Sequence, residues 1–462
     1  MTPSSQSDPS APGTPLPKAQ ASSVKQAGSA RPTRPGASTR PVSDIVQRAQ
    51  QSGRDLVIDA ARVFCLVLVV ILHTLMVGLY YSHGEIAQIN PLEREAWFPL
   101  ASWVGQIMPL FFVVGGFAGI TSWRRAEASG DTPTRYLRRR LIRVLRPTIP
   151  LLLFLTTVFW AAYLAGVPRK LVDLTALGAG LPLWFLAAYI LTQAFLPLTA
   201  RLHSRHPVVL FLSLCLAAIL VDTARFTSGF VELGLPNLLF VWLAVQQLGF
   251  FYADGQFRER SRGVLVAVIL VVYGVITALT FGTGIYPVDM LRNLNPATVP
   301  LILLGIAQIC LLQLLYPAVS RLMRIGAVVA ACVLVGSRAM TIYLWHLPII
   351  IALAGSGFLL GIDTTTPGSG LWWATRPILL VTAGIVVLGV SWILRRWETP
   401  PARLPGSHTA RQAVWLATIL STAVFVAQIQ WGLSLALTPV ALGVVTLSYF
   451  LVVPPRLQKG IS

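Results

Sequence analysis

Charge is scarce in this chain of 462 residues: Asp, Glu, Lys and Arg make up 11% of it, against 55% hydrophobic residues, and the mean hydropathy is +0.69. That balance excludes an ordinary water-soluble domain. Acid is scarcest, with 17 Asp and Glu against 36 Lys and Arg and a net charge of +19. The basic excess does not point to nucleic acid, because it gathers at the ends of apolar segments and no soluble domain carries a basic stripe with interleaved aromatics. The four cysteines (Cys65, Cys215, Cys310 and Cys332) lie in apolar segments without paired or ligand spacing and read as small core residues. No metal site is expected. No internal repeat is visible either, which weakens the case for a carrier built from inverted repeats.

What the chain has instead is apolar length. Stretches of about 20 apolar residues recur, each able to cross about 30 Å of hydrocarbon. Twelve spans are expected, at about 56–80, 101–123, 144–165, 183–200, 208–222, 236–252, 263–281, 299–317, 338–355, 372–394, 412–431 and 433–453. Residues 321–337, bracketed by Arg321, Arg324 and Arg338, are expected to lie along the membrane interface. The fold class is therefore all-α and integral to the membrane. Residues 1–54, rich in Ser, Pro, Ala, Gly and Gln, read as a disordered tail without a signal-peptide core. Lys and Arg bias sets the orientation. Only Arg94, Arg169, Lys170, Arg225, Arg292 and Arg376 fall on one side, so the other, with both termini, is expected in the cytoplasm.

The first span runs DAARVFCLVLVVILHT, from Asp59 to Thr74. Arg62 and His73 are eleven residues apart, close to three turns, so they share a helix face about 16 Å apart. Asp59, one turn before Arg62, can pair with it. A histidine at that depth reads equally well as a functional group facing a cavity or as a hydrogen bond to a neighbouring helix. The next span, MPLFFVVGGFAGI, places Pro109, Gly115, Gly116 and Gly119 where helices kink or approach closely. After it, the segment Arg124–Arg146 carries eight arginines and no lysine, and is read as a loop. Arginine binds phosphate with a two-point fork. Arg140 with Arg143, or Arg143 with Arg146, can present two guanidiniums on one face. The alternative is a basic loop touching anionic headgroups.

Several segments taken in order resemble the membrane-bound acyltransferase-3 family. They are Asp59-Ala-Ala-Arg62 with His73; Pro109-Leu-Phe-Phe with Gly115-Gly-Phe117; Arg140-Leu-Ile-Arg143 ahead of Pro147; Pro182-Leu-Trp-Phe-Leu186; and Thr341-Ile-Tyr-Leu-Trp-His346. Phe240-Val-Trp-Leu-Ala-Val-Gln-Gln-Leu-Gly249 is similar to an actinobacterial branch. The resemblance covers about residues 54–400. It implies a ten-helix acyltransferase core over residues 55–400 and the plasma membrane as location; the chain departs from the family in the tail over 1–54 and in a C-terminal two-helix extension over 401–462, both outside that core. It also implies an acyl-CoA donor, acetyl-CoA being the commonest, and an envelope glycan, glycolipid or lipid hydroxyl as acceptor. His73 would be catalytic with Arg62 its companion, and Arg140 with Arg143 would bind the donor. Asp59, Trp184, Tyr343 and His346 are candidate pocket residues.

On this reading neutral His73 is a general base on the acceptor hydroxyl. Tyr343, Trp184 or His346 is the candidate donor to the developing oxyanion. His346 is explained as well by helix–helix hydrogen bonding. His203, His206 and His408 are expected in loops, without a role. Two rivals stay open: a proton-coupled secondary transporter of a small envelope precursor, and a scaffold whose basic segments bind acidic lipid. The last two helices are also a candidate docking place for a protein partner.

Overall fold

In the computed structural model, which describes residues 55–398 and 410–453, the first span starts where its cap allows. The Asp55 carboxylate accepts hydrogen bonds from the backbone N–H groups of Val57 (3.0 Å) and Ile58 (3.4 Å), satisfying donors that a helix start leaves open. The tail over 1–54, His408 in the 399–409 linker, and Arg456 and Lys459 lie outside the described residues.

Helix α1 (Leu56–Met76) is followed by a hairpin of β1 (Gly78–Ser82) and β2 (Glu85–Ile89), antiparallel with Ser82 opposite Glu85. Next come α2 (Phe98–Gly105), α3 (Met108–Ala128), α4 (Pro133–Leu164), α5 (Arg169–Gly180), α6 (Trp184–Arg205), α7 (Pro207–Ser228) and α8 (Asn237–Ala253). The chain continues through α9 (Arg262–Thr277), α10 (Val299–Leu322), α11 (Gly326–Ser337), α12 (Ala339–Leu359) and α13 (Gly370–Ile393). A single turn, α14 (Arg395–Glu398), precedes α15 (Arg411–Trp431) and α16 (Leu437–Val452). Eleven helical segments among the described residues are long and apolar enough to cross a membrane, and the chain is an all-α integral membrane protein. The twelfth expected span, 433–453, forms the shorter α16, about 24 Å long at 1.5 Å per residue. Helix α11, twelve residues long, is too short to cross.

Two expectations are corrected. The first span does not reach residue 80: it ends at Met76, and Tyr80 and Tyr81 lie in a strand. The hairpin turn explains this, because His83 and Gly84 both take positive φ (50° and 81°), the pattern of a two-residue type I′ turn. The arginine-rich segment is not a loop. Thr132 caps a helix by accepting from Arg135 N (3.2 Å), Pro133 takes the first position, and residues 138–146 are wound into α4.

The tightest packing is between α3 and α8. A Cβ on Gly116 would stand 2.0 Å from the Gln246 carbonyl oxygen, and one on Gly249 2.0 Å from that of Val113. Only glycine permits that approach on either side. Gly115, one position away, meets nothing within 4 Å and instead faces an internal cavity.

Candidate active site

That cavity has a volume of about 810 Å³, within the range of small-molecule sites. Five arginines line it: Arg62 from α1, Arg125 from α3, Arg140 and Arg143 from α4, and Arg258 from the α8–α9 connection. Its deep end is aromatic, formed by Phe111, Phe185 and Tyr343. The Phe185 ring lies 5.1 Å from Phe111 and 4.9 Å from Tyr343.

The eight arginines of 124–146 separate by partner. Arg124 pairs with Asp254 at 2.6 Å. Arg135 and Arg139 both pair with Asp131, and the hydrogen bond from Arg139 holds its carboxyl below the usual carboxylate range. Arg138 donates through Nε to the Val452 carbonyl (2.8 Å) on the far side of α4. Arg125 of α3 and Arg140 and Arg143 of α4 remain for the cavity, and Arg146 does not line it. The 140–143 pair is thus the one the geometry selects over 143–146.

Arg140 is held in place by Tyr136, one turn back. Its Nη2 donates to the phenol oxygen at 2.9 Å, and its guanidinium lies 4.9 Å from the ring centroid. Tyr136 in turn donates toward Gln193 Oε1 at 3.4 Å. Among the described residues no carboxylate pairs with Arg140 or Arg143. The carboxylates that line the cavity are engaged elsewhere: Asp55 with Arg258 (3.2 Å), and Glu398 with Arg338 (3.4 Å) and the Thr341 N–H (2.8 Å). Asp59 approaches Arg62 at 3.7 Å, while the Arg62 Nε is buried without a hydrogen-bond partner. The cavity therefore offers cationic donors to an anion.

The second centre is a histidine pair. His73, in the last turn of α1, and His346, fully buried in α12, meet through His73 Nδ1 and His346 Nε2 at 2.7 Å, with ring planes 18° apart. The other nitrogen of His346, Nδ1, faces the carbonyl oxygens of Tyr343 (2.6 Å) and Ile342 (3.2 Å). Carbonyls only accept, so Nδ1 carries the proton and Nε2 has the lone pair. His73 must then donate from Nδ1, which leaves its Nε2 as the unprotonated, basic nitrogen. Neither histidine lines the cavity. They lie one turn beyond Tyr343, behind the aromatic floor.

The other pocket candidates have definite places. Tyr343 donates its hydroxyl proton to the Pro182 carbonyl at 2.6 Å. Trp184 is buried against Phe185 and Trp242 (5.8 Å between the tryptophan ring centroids) and packs the core. Of the three expected oxyanion donors, Tyr343 and His346 already donate to backbone carbonyls, and Trp184 does not line the cavity.

One expectation fails outright. His203 is not a loop residue but lies buried on α6, accepting from Gln247 Nε2 at 2.9 Å and donating to Asp254 at 3.1 Å. A Gln-Gln pair in an apolar helix was the one available signal, since buried amides need partners. Arg376, expected at an outer helix end, is 3% exposed, pairs with Asp363 and stacks over Trp372 at 4.2 Å.

The multi-pass helical bundle thus holds an arginine-lined cavity and a histidine pair, and the comparison with known families names its class. The acyltransferase-domain family model matches residues 55–396, and the chain belongs to this acyltransferase-3 family. It matches no curated protein and no solved structure. It is thus a membrane acyltransferase. The matched region ends two residues before Glu398, leaving α15 and α16 outside it.

Proposed function

We propose that this acyltransferase takes an acyl group, acetyl being the commonest in the family, from cytoplasmic acyl-CoA and transfers it to a hydroxyl of an envelope glycan, glycolipid or lipid. The arginine end then faces the cytoplasm of a plasma-membrane enzyme. The observation that carries the reading is the hydrogen-bond sequence Tyr343 C=O, His346, His73, which leaves a basic nitrogen on His73 with its tautomer defined. A carrier has no need of the second feature, a nucleotide grip made by Arg140 and Arg143 at the cytoplasmic end.

The donor's phosphates fit Arg140 and Arg143, with Arg62 at the same cavity wall. From there the extended arm spans the roughly 16 Å of helix between Arg62 and His73. The thioester reaches His73 only when the layer of Phe111, Phe185 and Tyr343 parts for it. His73 Nε2 removes the acceptor's hydroxyl proton and the acceptor oxygen attacks the thioester carbonyl carbon. The C–S bond then breaks, and the thiolate takes the proton from His73 to leave as free CoA. His346 accepts the His73 Nδ1–H throughout and stabilises the imidazolium, as an orienting group does in hydrolase triads.

The test is transfer of label from radiolabelled acetyl-CoA to an envelope lipid and glycan extract by purified protein in lipid. Label should move with wild type and not with His73→Ala. Absence of both transfer and CoA binding by folded wild type would overturn the donor assignment and return a proton-coupled carrier to first place.

A further inference from the structure

The helix that carries the donor arginines has a mechanical weakness next to them. Pro147 and Pro150 lie inside α4. Each lacks the N–H that would bond four residues back, so the carbonyls of Arg143 and Arg146 lose their helical partners, and the half bearing Arg140 and Arg143 is poorly coupled to the rest. Something else must fix its direction.

The hairpin of α15 and α16 is placed to do so. Helix α16 packs along α4, and its residues Ala441, Val445, Ser448 and Val452 are buried. At the arginine end, Arg138 Nε donates to the carbonyl of Val452, the last residue of α16, where a helix leaves its carbonyls open to a cation. Arg138 is two residues before Arg140, about 200° round the helix, so one short segment grips the hairpin with one side and lines the cavity with the other. At the opposite end the hairpin is tied twice more. Gln428 Nε2 donates to the Gly180 carbonyl (2.9 Å), and Leu435 N–H donates to Asp173 (2.8 Å).

We propose that this hairpin, outside the matched family region, is a built-in brace of the donor site, and that Arg138 is the positioning residue through which it sets the aim of Arg140 and Arg143. The inference rests on the donor reading above. It assigns the last two helices to the chain's own catalytic unit and not to an external partner.

The experiment compares full-length wild type, Arg138→Met and Arg138→Lys in lipid, measuring radiolabelled CoA binding and the kinetics of transfer with each substrate varied. Arg138→Met should raise the Kd for CoA and the donor KM about tenfold, with kcat and acceptor KM within twofold of wild type. Arg138→Lys, which still presents an N–H to the carbonyl, should recover most of the loss. Adding Pro147→Ala and Pro150→Ala to Arg138→Met should also restore affinity, because the helix then stiffens itself. CoA binding by folded Arg138→Met within twofold of wild type refutes the brace, as does a fall in kcat that parallels lost folded protein. If Arg138→Met does not fold, Arg138→Gln replaces it, with a shorter reach to the carbonyl, and unchanged CoA affinity there refutes the brace equally. Failure of wild type itself to bind CoA sinks the donor reading, a result separate from these.

Discussion

His346→Ala separates an orienting histidine from a packing one. In the native arrangement the His73 Nδ1–H is held at 2.7 Å by His346, and that contact alone decides which nitrogen is basic. Without it the Nδ1–H is left without its buried partner, at a cost of about 1–3 kcal/mol. The ring is also free to carry its proton on Nε2, the nitrogen that must be bare. Each 1.36 kcal/mol of lost transition-state stabilisation is about tenfold in rate. Loss of orientation and tautomer together puts the fall in kcat at roughly 100- to 1,000-fold, within the about 10⁴-fold of an orienting group lost from a hydrolase triad. The donor KM should hold, because Arg140 and Arg143 lie on the other side of the aromatic floor. His346→Gln supplies an amide oxygen in reach of the same N–H and should keep kcat within about tenfold of wild type. Two residues acting as a unit are not additive, so His73→Ala/His346→Ala should be no slower than His73→Ala. The assay is label transfer from acetyl-CoA under saturating donor, with thermal unfolding of each variant in lipid as the folding control. A His346→Ala enzyme with kcat within threefold of wild type, or a Gln variant no better than Ala, would refute the tautomer argument.

Three further outcomes follow from the same geometry. Arg140→Met and Arg143→Met should each raise the donor KM roughly 10- to 150-fold, the equivalent of a charge-assisted hydrogen bond of about 1.5–3 kcal/mol, with kcat little changed; labelled CoA binding reads this directly. Gly116→Ala should abolish folded protein in size-exclusion profiles, because its methyl would stand 2.0 Å from the Gln246 carbonyl. Gly115→Ala should fold and merely narrow the cavity. Arg376→Met should lower stability by about 1–3 kcal/mol, since Asp363 loses its charge partner but keeps the Thr365 hydroxyl, read as a fall in Tm without altering donor KM.

Much of the bundle was legible because apolar length and membrane-end arginines are local signals, and a helix must satisfy its own backbone in lipid. The shared face of Arg62 and His73 followed from the helical period alone. The hairpin after Met76 was less visible, since five-residue strands containing Tyr80 and Tyr81 look like an aromatic helix end until the His83-Gly84 turn is noticed. The histidine pair could not be read at all, because its members are 273 residues apart in the chain and only packing of α1 on α12 joins them. The roles of the eight arginines were equally hidden. Their partners are Asp131 nearby, Asp254 and the Val452 carbonyl far along the chain, and the choice between 140–143 and 143–146 is made by which face meets the cavity.

The aromatic floor between the arginines and the histidines carries an obligation of a different kind. If, as proposed above, the donor enters from one side of the membrane and the acceptor from the other, an open channel between them would be a leak. A transmembrane voltage of 100 mV is worth about 2.3 kcal/mol per elementary charge, and on that reading a protonatable pair beyond a cation-lined cavity would offer protons a route down it. Phe111, Phe185 and Tyr343 line the cavity on the side from which the histidine pair is reached. On the proposed mechanism they would serve as electrical insulation, and the acyl arm that opened the layer would also plug it.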